Sequence, residues 1–105
     1  MDLFSLMDIH VEKIIISSAG GTGSQNTLPI IGGLLRHVYV LAGTSTTSFR
    51  FDIADSDAVY LRSYDFHNQE INDDETSLPV RGILTARVTN ASADGQFTVR
   101  LSFEQ

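Results

Sequence analysis

The segment Leu28-Pro29-Ile30-Ile31-Gly32-Gly33-Leu34 returns fifty positions later as Leu78-Pro79-Val80-Arg81-Gly82-Ile83-Leu84. Each copy leads into a strand, a loop and a returning strand. Val38 and Val40 extend the first copy and Phe49-Arg50-Phe51 begins its return; Val88 extends the second and Phe97-Thr98-Val99-Arg100-Leu101 returns. Two similar hairpin-like units in a small chain must bury their apolar faces against each other. This points to a closed antiparallel β-sandwich, a scaffold that more often binds than catalyses.

The rest of the chain supports β structure. From Asp8 to Ser18, Ile9, Val11 and Ile15 alternate with His10, Glu12 and Ile14, and the β-branched enrichment predicts a first strand. Ala19 to Asn26 is Gly-rich, polar and without periodicity, which predicts a flexible surface loop. A phosphate-cradling loop would need a helix directly after its glycines, and Leu28-Pro29 follows instead. Gly33 to Leu41 is apolar on both faces apart from Arg36 and His37, as expected of a central or covered strand. Phe49, Phe51 and Ile53 alternate with Arg50 and Asp52, and Val59 to Arg62 reads as a further short strand after the turn at Asp55-Ser56-Asp57. Asn68 to Thr76 is the most acidic stretch and predicts a long exposed loop. In the second unit Gly82, Leu84, Ala86 and Val88 share a face, and Phe97, Val99, Leu101 and Phe103 point inward after the turn that closes on Asp94-Gly95. Six or seven strands with turns every eight to twelve residues predict an all-β, antiparallel sandwich of jelly-roll or immunoglobulin-like topology, with residues 9–105 forming one domain behind an apolar arm at 1–8.

With 105 residues, one domain is the size that buries an adequate core. Cysteine is absent, so no disulfide framework or thiolate metal site is available. Thirteen acidic against seven basic side chains give a formal charge of −6, which argues against a nucleic acid partner. Six of the seven basic residues are arginines placed singly along strand patterns. Arg50, Arg87 and Arg100 face outward in this reading and are candidates for ion pairs across an interface.

No catalytic constellation is evident. His10, His37 and His67 sit in separate elements without metal-ligand spacing, and no serine lies in a nucleophile elbow. Asp52, Asp55 and Asp57, like Glu70, Asp73, Asp74 and Glu75, could gather oxygen ligands for calcium, but neither set matches a calcium loop and both read as solvated turns. The expectation is a non-enzymatic protein without a cofactor or metal.

The first eight residues, Met1 to Asp8, carry an acid at position 2 and no basic n-region, unlike a signal peptide, and no run is long enough to span a bilayer as a helix. Leu3, Phe4, Leu6 and Met7 therefore have to pack somewhere, either on their own sheet edge or as a clasp on a neighbouring subunit.

Taken in order, a Leu-Pro-opened apolar strand, a Gly/Thr/Ser turn, an amphipathic strand, Val59-Tyr60-Leu61-Arg62, an acidic loop, Leu78 to Leu84 and the closing Gly95-Gln96-Phe97-Thr98-Val99-Arg100-Leu101 resemble small virion proteins of tailed bacteriophages. The resemblance covers about Leu28 to Glu104. It implies a β-sandwich that attaches to the exterior of an expanded capsid as a decoration or cement protein, assembled in the host cytoplasm. The implied partners are the major capsid protein and neighbouring copies in a homo-oligomer, with no nucleic acid and no membrane. Such proteins also form tail or head-tail parts. A competing reading from the residues is a glycan-binding module in which Tyr60, Tyr64 and the acidic loops line a sugar or calcium-dependent site.

Overall fold

A computed structural model describes residues 9–27, 29–43, 47–57 and 59–104. These residues form nine strands: β1 (Ile9–Ser17), β2 (Gly23–Asn26), β3 (Ile30–Ala42), β4 (Ser48–Ala54), β5 (Tyr60–Asn68), β6 (Glu70–Asp73), β7 (Leu78–Gly82), β8 (Thr85–Thr89) and β9 (Gln96–Glu104). Among the described residues there is no helix, hence none long and apolar enough to cross a membrane.

The strands make two antiparallel sheets. One runs β1-β9-β3-β6, with β7 also on β3; the other runs β2-β8-β4-β5. β6 and β7 lie one after the other along the flank of β3 that faces away from β9, so they act as one interrupted strand. Counted that way, two four-stranded sheets face each other. Every connection crosses between them except β4 to β5 and the interruption between β6 and β7. This is the nested Greek-key order of an eight-stranded jelly roll, the first of the two predicted topologies.

The repeated Leu-Pro segments have a structural relation that the sequence hid. They are neighbours, with Ile30 opposite Gly82, Gly33 opposite Val80 and Leu35 opposite Leu78. The expected hairpins do not form, however. β3 and β4 belong to different sheets, as do β8 and β9, so each loop spans the sandwich. Within the second copy the strand breaks at Gly82, whose φ of +79° suits glycine, and the chain then crosses to the other sheet as β8.

The core is the filling between the sheets. Phe49 and Phe51 of β4 and Phe97 and Phe103 of β9 are fully buried among Ile16, Leu35, Val38, Val40, Ile53, Leu84, Val88 and Leu101. Phe49 meets Phe97 edge to face across the sandwich, with 5.0 Å between ring centroids. The second unit has the predicted alternation except at Gly82, which ends β7 in the other sheet: Leu84, Ala86 and Val88, then Phe97, Val99, Leu101 and Phe103, are all buried.

Three expectations are corrected. In β1 the inward face is Glu12, Ile14 and Ile16, while Ile9, Val11 and Ile15 face solvent. Residues 19–26 are a tight turn and a strand: Ala19 bridges Thr22 around Gly20 and Gly21, both at positive φ, and β2 pairs with β8. Asp94 anchors that turn by accepting from the N–H groups of Gly20 (3.0 Å) and Gly21 (2.8 Å), contacts that hold its carboxyl below the usual range. The acidic stretch 68–76 contains β6, which buries Ile71 against β3.

Candidate functional site

Among the described residues an open cleft of about 390 Å³ lies on the outer surface of the β2-β8-β4-β5 sheet. Strand alternation places Asp52 on this surface, between the inward Phe51 and Ile53, directly opposite Arg87 of β8 and Ser63 of β5. Although it points away from the core, Asp52 is only 2% exposed. Long side chains on either side account for this: Arg50 Nε stands 3.5 Å from Oδ1 and Arg87 Nη2 3.5 Å from Oδ2. Arg50 also reaches Asp65 through Nη1, at 3.4 Å. The charges are balanced, yet Asp52 Oδ1, Arg50 Nε and Arg87 Nε are buried without a hydrogen-bond partner. A charge cluster that is paired but incompletely hydrogen-bonded has polar capacity left over.

Tyr60 completes the cleft, and a β-bulge puts it there. Ile53 pairs with Arg62 but Ala54 pairs with Tyr60, so Leu61 is an extra residue on β5. The extra residue reverses the alternation. Tyr60 turns to the outer surface, whereas Tyr64, opposite Phe51, packs at 6.3 Å from that ring at the edge of the core. Arg87 lies over the Tyr60 ring, 5.1 Å from its centroid, and donates to its hydroxyl. Asn26, Ile83 and Thr85 form the facing wall, with the Thr85 hydroxyl donating to Asn26 Oδ1 at 2.9 Å. Asp55 and Ser56 close one end, where Asp55 Oδ1 accepts from the N–H groups of Asp57 and Val59. The Asp52-Asp55-Asp57 set thus diverges into an ion-pair network, a turn cap and an exposed side chain.

The second acidic set is a structural tie. Asp73 ends β6, and its carboxylate accepts from Tyr64 (2.7 Å), the Thr76 hydroxyl (2.7 Å), the Glu75 N–H (3.0 Å) and Arg62 (3.2 Å). Partial burial would raise its pKa, but the hydrogen bonds outweigh that and hold the carboxyl far below its ordinary 3.8. Tyr64 and Arg62 come from β5, so this node fastens the interrupted strand of one sheet to the edge of the other. The Tyr64 hydroxyl is pushed up by burial and by its bond to Asp73. Tyr60 and Tyr64 therefore serve different sites.

The histidines are dispersed. His10 stacks on Phe103, His37 hydrogen-bonds Asn72 at 2.7 Å, and His67 meets the edge of Tyr64. Among the described residues no three His, Asp or Glu side chains are gathered as metal ligands.

The predicted interface residues separate. Arg50 and Arg87 come together around Asp52, while Arg100 lies on the outer surface of the other sheet, over the Tyr39 ring and opposite Lys13. Leu3, Phe4, Leu6 and Met7 lie outside the described residues. Sequence reasoning missed Asn26, Ile83 and Thr85, which converge only through the β2–β8 pairing and the crossover after Gly82. It also missed the solvent-facing stripe Ile9, Val11 and Ile15 on β1, at the edge of its sheet and 66%, 53% and 40% exposed. No protein-family model matches this chain, and no curated protein matches it.

Proposed function

We propose that the protein is a non-enzymatic structural component of a phage virion, a jelly-roll module that binds the capsid exterior as a decoration or cement protein and bridges shell subunits. The observation that carries this reading is the apolar stripe on β1. Ile9, Val11 and Ile15 stand in solvent on an edge strand whose inner face is already packed. Burying side chains of this kind against a partner yields about 1.5–3 kcal/mol each. A long edge strand with exposed β-branched residues is also a template for pairing, and proteins normally guard or cover such edges. Lys13 interrupts the stripe and Arg100 is its cross-strand neighbour, so the surface is apolar with a basic centre, suited to an apolar partner bearing carboxylates. The apolar Leu3, Phe4, Leu6 and Met7 precede Ile9 closely in sequence. A shell that repeats one surface many times is stabilised by mass action when a small rigid module binds across its subunits. The resemblance of Leu28 to Glu104 to small virion proteins supports the choice of lattice.

The test is quantitative mass spectrometry of purified particles, followed by rebinding of a Val11→Asp/Ile15→Asp double variant to particles lacking the protein. Copies approaching those of the shell protein, and lost rebinding by a variant of unchanged Tm, are the expected results. A few copies per particle would replace decoration with a tail or head-tail role. Absence from particles, or undiminished rebinding by the variant, would overturn the reading.

A further inference from the structure

From the cleft over Asp52 we infer a second function, independent of the β1 surface: binding of a neutral pyranose sugar unit. Its volume of about 390 Å³ lies at the small end of the roughly 300–1,000 Å³ typical of small-molecule sites, appropriate to a single ring with its substituents. The chemistry of the walls selects the class. Asp52 is neutralised by Arg50 and Arg87, so the site has no concentrated positive field for a phosphate. It has no gathered carboxylates for a cation either, since Asp55 caps its own turn.

What remains is a mixture of donors and acceptors beside flat apolar surface. Arg87 supplies donors, the Asp52 carboxylate accepts, and Asn26 keeps its amide N–H groups after its oxygen has taken the Thr85 hydroxyl. Tyr60, 54% exposed, and Ile83, 40% exposed, present ring and aliphatic surface at the mouth. Vicinal hydroxyls that donate and accept at once, on a ring whose C–H face packs on an aromatic, match this arrangement. Asp52 Oδ2 and Arg87 Nη2 stand 3.5 Å apart in the cleft wall as an ion pair without a close hydrogen bond, a gap that a polyol hydroxyl can bridge and an apolar ligand cannot. The Leu61 bulge reinforces the inference, because bulges re-aim side chains next to binding sites and this one alone brings Tyr60 to the cleft.

The experiment is a titration of the isotope-labelled full chain with glucose, galactose, mannose, rhamnose and N-acetylglucosamine, followed by amide chemical shifts, with glycerol as the control polyol. At least one sugar is expected to give saturable, millimolar shifts centred on Asn26, Tyr60, Thr85 and Arg87. Tyr60→Ala, a change at an exposed position, should weaken that binding about tenfold or more while leaving shifts elsewhere in place. Asn26→Ala gives the same readout from the opposite wall. No saturable shift with any of the five sugars would overturn the inference. So would shifts that glycerol reproduces, or that survive in both variants. Particle attachment is measured separately, so either function can fail alone.

Discussion

At the scale of single residues, Asp73 shows how one carboxylate can hold two sheets together. Four donors converge on it from β5 and from the 74–77 interruption, with its side chain 17% exposed. Hydrogen bonds to a charged group contribute about 1.5–3 kcal/mol, so Asp73→Ala should lower unfolding stability by about that amount at neutral pH. The pH dependence has a definite sign. The folded pKa is depressed below the ordinary 3.8, so the unfolded chain takes up the proton first as pH falls. The contribution is complete above about pH 5 and drains away below pH 4, toward the folded pKa. Urea midpoints for the wild type and Asp73→Ala should therefore differ most at neutral pH and converge in strong acid. A difference that stays constant down to pH 2 would mean that the carboxylate charge is not the source. None of this was legible in the sequence, where Asp73 is one acid among four in a polar stretch, because its donors Tyr64 and Arg62 are brought to it by a sheet-to-sheet contact.

At the scale of elements, alternation was read well where every second position is apolar and its neighbours are polar, as in β4, β8 and β9. It failed where hydrophobicity does not distinguish the faces. In β1, isoleucine occupies positions 14, 15 and 16 in succession, so pattern alone could not choose between them; pairing with β9 sends Ile14 and Ile16 inward beside Val99 and Phe97. β6 was missed because a single isoleucine among acids gives no period. Its burial nevertheless makes a sharp distinction. Ile71→Ala in an exposed loop would change stability by no more than about 0.5 kcal/mol, whereas removal from the flank of β3 should cost about 2–5 kcal/mol. Chemical denaturation of this variant decides between them. β2 was hidden by the glycines at 20, 21 and 23, of which Gly23, its first residue, is the informative one. A Cβ there would stand 2.4 Å from the Ser17 carbonyl oxygen and 2.9 Å from Ile16 Cγ2, so Gly23→Ala must push β2 away from β1. Overpacking of this kind costs about 1–3 kcal/mol, measurable as a lowered Tm.

At the scale of the whole molecule, the jelly roll joins the beginning of the described chain to its end. β9 lies between β1 and β3, with Ile9 opposite Glu104 and Ser17 opposite Gln96, so the last strand occupies the middle of its sheet. The sandwich class followed from composition and period, but this order could not, because nothing in the sequence says which strand pairs with which across ninety residues. Two consequences follow from it. Pairings this distant in sequence must close large loops before any contact rewards them, so refolding should fall in the slow, millisecond-to-second range of non-local β proteins. Removal of residues 102–105 should do more than shorten an end. It takes Phe103 from the core, a loss of about 3–5 kcal/mol by itself, and strips the pairing partners of Ile9, His10 and Val11. That sum approaches the roughly 5–15 kcal/mol that keeps a domain folded, and the β1 stripe would lose its platform with it. The truncated chain should therefore show a collapsed Tm and broad amide shift dispersion loss, and should fail to rebind particles. A truncated chain that kept native shift dispersion would show that β9 is dispensable at its end and that the β1 surface is supported from elsewhere.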